Sequence, residues 1–132
     1  MKTVKTVTDP VFGELKYKHS WKGACTIPGL GQIEVTAQAY PGEEVSDAQR
    51  DAFQQFRADS VGFLSSANEV LLAYASRVYP GTDVSQIRPE GILFRQNGVW
   101  GFLYPSPIGE DDGISVRFEN GQVIADSEDA LF

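Results

Sequence analysis

Histidine and cysteine occur once each, as His19 and Cys25. A single histidine excludes a multi-histidine metal site and an H-E-x-x-H helix. A single cysteine excludes an internal disulfide and agrees with a reducing compartment. A Cys25–His19 nucleophile pair is the one arrangement left, but no glycine-rich oxyanion loop follows Cys25, so the expectation is a buried structural thiol. No run of roughly 18 or more apolar residues is present, and the basic opening MKTVKTVTDP has no hydrophobic block behind it. The expectation is a soluble, cytoplasmic protein with no membrane association. Neither G-x-G-x-x-G nor G-x-x-x-x-G-K-[ST] occurs, and Gly29-Leu30-Gly31 lacks the helix that would complete an anion site. Glu110-Asp111-Asp112-Gly113 lacks the alternating oxygen ligands and terminal bidentate Glu of an EF-hand, and reads as a solvated turn. Hence no cofactor, metal or catalytic residue is expected, and nothing in the residues supports an enzyme.

Lysine is absent beyond residue 22: Lys2, Lys5, Lys16, Lys18 and Lys22 are all there are. Residues 110–132 carry seven acids, Glu110, Asp111, Asp112, Glu119, Asp126, Glu128 and Asp129, against one base, Arg117. The net charge of −7 therefore hides a polarised chain. Unless the lysines fold onto it, the C-terminal end is an acidic surface, which disfavours nucleic acid and can steer a basic protein.

At 132 residues and 42% hydrophobic content the chain is long enough to bury one core as a single domain, residues 1–132. Its only long helical pattern runs from Ser46 to Tyr79. Ser46 and Gln49 have capping-box spacing, and Asp47 and Asp51 suit the positive end of the helix dipole. Apolar residues then recur at three-and-four spacing, through Ala52, Phe53, Phe56, Phe63, Leu64, Ala67, Leu71 and Tyr74. Gly62 costs about 1 kcal/mol relative to Ala, and Ser66 with Glu69 offers a second capping box. This predicts one helix bent near residues 60–65, with two consecutive helices as the alternative, closed by Pro80-Gly81.

Strand patterns flank the helix. Phe12 to Lys18, Ala24 to Ile27 and Gln32 to Tyr40 read as an antiparallel meander. Beyond the helix, Asn97-Gly98 and Asn120-Gly121 mark two hairpins. A two-residue turn at Asn120-Gly121 pairs Phe118 with Val123 and Arg117 with Ile124. The same turn at Asn97-Gly98 pairs Arg95 with Trp100 and Phe94 with Gly101. That register puts Arg95, Trp100, Phe102 and Tyr104 on one face and Ile92 and Phe94 on the other. One helix covers only one of these faces. The aromatic stripe therefore either packs beneath the helix or, with Arg95, forms a partner or homodimer contact.

Asp9-Pro10-Val11-Phe12-Gly13-Glu14-Leu15-Lys16-Tyr17, followed by Trp21-Lys22-Gly23, resembles a group of uncharacterised bacterial domains that open on an F-G-x-L-x-Y strand and a W-x-G turn. Gln49, Phe53 and Phe56 fit the helix of that group, and Gly113 to Phe118 its late strand. Some members are immunity proteins of bacterial toxin systems, so the resemblance implies a protein partner; it implies no catalytic residue. The expected fold is α+β, an antiparallel sheet of about six or seven strands with one long, bent helix on one face. The expected function is non-catalytic binding of a basic protein such as a toxin, through the acidic Glu110, Asp111 and Asp112 region or the Arg95, Trp100, Phe102, Tyr104 stripe. The alternative is a small enzyme or ligand binder using a pocket between helix and sheet.

Overall fold

Tight turns after short strands leave each strand to pair beside its predecessor, and the sheet keeps chain order throughout. The computed structural model describes residues 5–109, 113–128 and 131. It contains β1 (Thr6–Asp9), β2 (Gly13–Tyr17), β3 (Trp21–Ile27), β4 (Gly31–Ala37), β5 (Gly91–Phe94), β6 (Trp100–Tyr104), β7 (Ile114–Glu119) and β8 (Gln122–Ser127). These form one eight-stranded sheet in the order β1 to β8. The strand beyond the expected six or seven is β1, from the Thr-Val alternation ahead of Pro10. All neighbours are antiparallel except β4 and β5. Their connection carries the helices across one face of the sheet, and a crossover of that kind brings the chain back parallel.

Two helices replace the single long one: α1 (Asp47–Ala58) and α2 (Ser60–Val78). Asp59 breaks the run at φ −150° and ψ 54°, and its Oδ1 accepts the Gly62 amide at 3.2 Å, capping α2. A Cβ on Gly62 would collide with that carboxylate. The glycine that weakens a continuous helix therefore makes room for the cap that starts the second one. The predicted box at Ser66 and Glu69 lies inside α2.

The predicted box at the start of α1 is formed, with Ser46 Oγ accepting the Gln49 amide at 3.1 Å and Gln49 Oε1 accepting the Ser46 amide at 2.9 Å. Gln49 is also fully buried. Its Nε2 donates to the carbonyls of Gln38 and Phe94, at 2.9 and 2.8 Å, where the parallel strands end. The residue that caps the helix thus fixes it to the sheet.

The two Asn-Gly turns differ. At the second, Asn120 and Gly121 both have positive φ, 51° and 76°, and Phe118 pairs with Val123 as the two-residue turn requires. At the first, only Gly98 does, at 90°. The Arg95 amide donates to the Val99 carbonyl at 2.8 Å, so the loop holds three residues, Gln96, Asn97 and Gly98. Phe94 then pairs with Trp100 and Ile92 with Phe102, one place from the expected register. A slip of one residue turns every side chain to the opposite face. Trp100, Phe102 and Tyr104 consequently join Ile92 and Phe94 beneath the helices, at 4% exposure or less. Arg95 is not on their face. It donates through Nε to the Leu131 carbonyl at 2.8 Å. Leu93 and Leu131 are buried, yet neither belongs to the helix-side core.

An ion pair ties the first hairpin to α1. Asp9 Oδ2 accepts the Val11 and Phe12 amides at 2.9 Å each, while Oδ1 accepts Arg50 Nε and Nη2 at 2.8 Å each. Burial raises the Asp9 pKa, but the Arg50 bonds and the two amides outweigh it and hold the carboxyl below its ordinary value. A depressed folded pKa stabilises above the unfolded value of about 3.9 and ceases to as pH falls through the folded pKa. Asp9→Asn is therefore expected to cost about 2 kcal/mol in urea unfolding at pH 6. The gap to the parent should shrink below pH 4; a gap equal at pH 6 and pH 3 would count against the pair.

Candidate functional site

Both hairpin turns emerge at the same end of the sheet as the open side of α1, and a cleft of about 590 Å³ lies between them. Ala48, Asp51, Ala52 and Gln55, at positions i, i+3, i+4 and i+7 of α1, form one wall. Phe63 and Ser66 extend it into α2, and the turns at Asn97-Gly98 and Asn120-Gly121 form the opposite side. The floor is aromatic. Trp100 stacks on Phe118 at 4.4 Å between centroids, and Phe63 meets both edge-on at 5.2 Å.

The first turn is held firmly. Ser46 Oγ donates to the Gln96 carbonyl at 2.7 Å, and Gln96 Nε2 donates to the carbonyls of Gln38 and Glu44 at 2.9 and 3.1 Å. Gly98 lies so near α1 that a Cβ would stand 3.1 Å from the Ala48 carbonyl oxygen. Asp51 and Glu119 bring two carboxylates to the cleft, and among the described residues no lysine, arginine or histidine lines it. Glu119 Oε2 accepts Arg117 Nε at 3.0 Å, whereas Asp51 has no ion-pair partner among the described residues.

No protein-family model, curated protein or solved structure matches the chain. The geometry therefore carries the functional argument.

Of the sequence-predicted site residues, Trp100, Phe102 and Tyr104 lie in the core, and only Trp100 also lines the cleft. Tyr104 donates its hydroxyl to Asn68 Oδ1 at 2.8 Å, and burial pushes its phenol pKa far up, which keeps it a neutral donor. Arg95 is turned to the C-terminal segment. Glu110, Asp111 and Asp112 lie outside the described residues. Cys25 and His19 do not come together. Cys25 shares a cleft with Phe53, Phe56 and Arg57 on the helix side, and burial raises its thiol pKa despite the Arg57 charge. His19 lies in a separate groove with Lys16, Lys18 and Lys22. Among the described residues there is no cluster of three or more His, Cys, Asp or Glu placed to hold a metal, and no helix long and apolar enough to cross a membrane.

Strand order places the described lysines of β2 and β3 apart from the acids of β7 and β8. Lys16 and Lys22 are on β2 and β3, Glu119 and Asp126 on β7 and β8, with β4, β5 and β6 between the two groups. These lysines do not fold onto these acids. Asp126 keeps 52% of its side chain exposed, at 3.8 Å from Arg117.

The cleft was missed in the sequence because its parts come from three distant segments. One signal was present: small and polar Ala48, Asp51, Ala52 and Gln55 run beside the large apolar residues of the same helix.

Proposed function

We propose that the chain is a non-catalytic protein-binding module of the immunity-like kind, which takes a basic protein such as a toxin on its acidic side and works in the cytoplasm. The observation that supports this reading is the placement of the described lysines Lys16 and Lys22 on β2 and β3, far from the acids Glu119 and Asp126 on β7 and β8, which meet Arg117 as their one base among the described residues. A surface with an excess of one sign attracts a partner of opposite sign during diffusion and disfavours partners of like sign. Asp111 and Asp112 add to the same end in sequence. The likeness of the Phe12 to Tyr17 and Trp21 to Gly23 segments to domains that include immunity proteins points to a toxin as that partner.

The experiment is capture of the products of toxin genes adjacent to this gene by the immobilised protein, followed by kinetics. Association should slow as salt is raised. The combined Asp111→Lys, Asp112→Lys and Asp126→Lys variant should associate about tenfold more slowly or worse. Retention indifferent to both salt and charge reversal would remove the acidic surface from the reading.

A further inference from the structure

We infer that the cleft between α1 and the two hairpin turns receives an extended segment of the basic partner, seating one arginine or lysine side chain against its aromatic floor. This rests on the protein-binding reading above and assigns it a location. Three observations favour such an occupant. The cleft is acidic by composition, with Asp51 unpaired among the described residues and Glu119 holding Arg117 through one carboxylate oxygen only. Its floor of Phe63, Trp100 and Phe118 is apolar, which suits the methylene stem of a long basic side chain while the head stays at the rim. Finally, whereas the Trp21 indole donates to the Glu43 carbonyl at 2.9 Å, the indole N–H of Trp100 has no acceptor within the described residues. It is also absent from the side-chain atoms sealed from solvent without a partner, of which Arg117 Nη1 is the one among the described residues. A peptide carbonyl can take the place of water as its acceptor. An acidic occupant would meet two carboxylates and, among the described residues, no cation lining the cleft.

The test uses the full chain, labelled with nitrogen-15, and a blocked pentapeptide Gly-Leu-Arg-Leu-Gly followed by NMR. The indole N–H resonance of Trp100 and the amides of Gly98 and Gly121 should shift and saturate, while the indole of Trp21 stays still. Asp51→Asn should weaken binding about fivefold, the upper end for an exposed ion pair. Ser66→Phe, at an exposed position of α2 on the cleft wall, should abolish it. Replacing the arginine by citrulline should cost at least as much as Asp51→Asn. No shift at Trp100, or equal binding of the citrulline peptide, would overturn the proposal. Free blocked arginine amide binding as tightly as the pentapeptide would overturn the segment and leave a small-molecule site. The two readings separate in the capture assay. If Ser66→Phe retains the toxin as well as the parent does, the cleft is not the contact and the module reading stands. If the parent retains no toxin yet binds the peptide as described, the cleft stands and the toxin reading falls.

Discussion

Gln49→Leu is expected to lower the unfolding free energy by about 3 kcal/mol, although it replaces a polar residue in an apolar interior with an apolar one. The reason lies in what its amide joins. Gln49 accepts the Ser46 amide and donates to the carbonyls of Gln38 and Phe94. After the substitution those carbonyls are not orphaned, because Gln38 O still accepts from Gln96 Nε2 and Phe94 O from the Gln38 amide. The Ser46 amide is left without its acceptor. Loss of half the capping box accounts for about 1 kcal/mol, and loss of the two buried bonds for the rest. Gln49→Glu should be worse at neutral pH, since a carboxylate would face two carbonyl oxygens in a fully buried site. Its folded pKa would be raised above the unfolded value near 4.3, so the penalty should ease as pH falls towards that value. Urea titrations of both variants at pH 7 and pH 4 decide this. A Gln49→Leu protein as stable as the parent would show that the bridge between α1 and the parallel strands contributes nothing.

What could be read in advance, and what could not, divides at the reach of the interactions involved. The Asn120-Gly121 register was legible because both turn residues adopt the positive φ that the dipeptide favours, with no distant partner needed. The same dipeptide at Asn97-Gly98 was misread. There Gln96 is drawn into bonds with Gln38 and Glu44, and Gly98 is set against Ala48, so contacts some fifty residues away lengthen the loop by one. That single residue moved Trp100, Phe102 and Tyr104 into the core and Arg95 out of their company. The helix start at Ser46 was legible for the same local reason as the second turn. The break at Asp59 was marked by Gly62, but only the side-chain geometry shows the glycine yielding space to a cap. Charge separation was visible in the lysine-free stretch after residue 22, and became spatial because the strands keep chain order. A pocket between helix and sheet was foreseen only in general, and its lining was not, since the cleft exists only where α1, α2 and two turns converge.

Trp100→Ala is expected to cost about 4 kcal/mol, the largest loss for any single side chain considered, and to leave the mass of the folded fraction unchanged. The indole is 4% exposed and touches rings from every element around it. Phe56 of α1 and Phe63 of α2 meet it edge-on at 5.3 and 5.2 Å, Phe94 of β5 lies stacked at 5.5 Å, and Phe118 of β7 at 4.4 Å. Truncation opens a cavity that these rings cannot close together, because each is fixed by its own strand or helix. A loss of this size is a large part of the 5–15 kcal/mol typical of a domain's stability. Circular dichroism during thermal unfolding should show a midpoint lowered by about 15 °C, at roughly 4 °C per kcal/mol for a chain of this length. Light scattering on the folded variant gives the second reading. If Trp100 held two copies together, the mass would halve while the midpoint moved little, and the burial of this face beneath α1 and α2 would then have to be wrong.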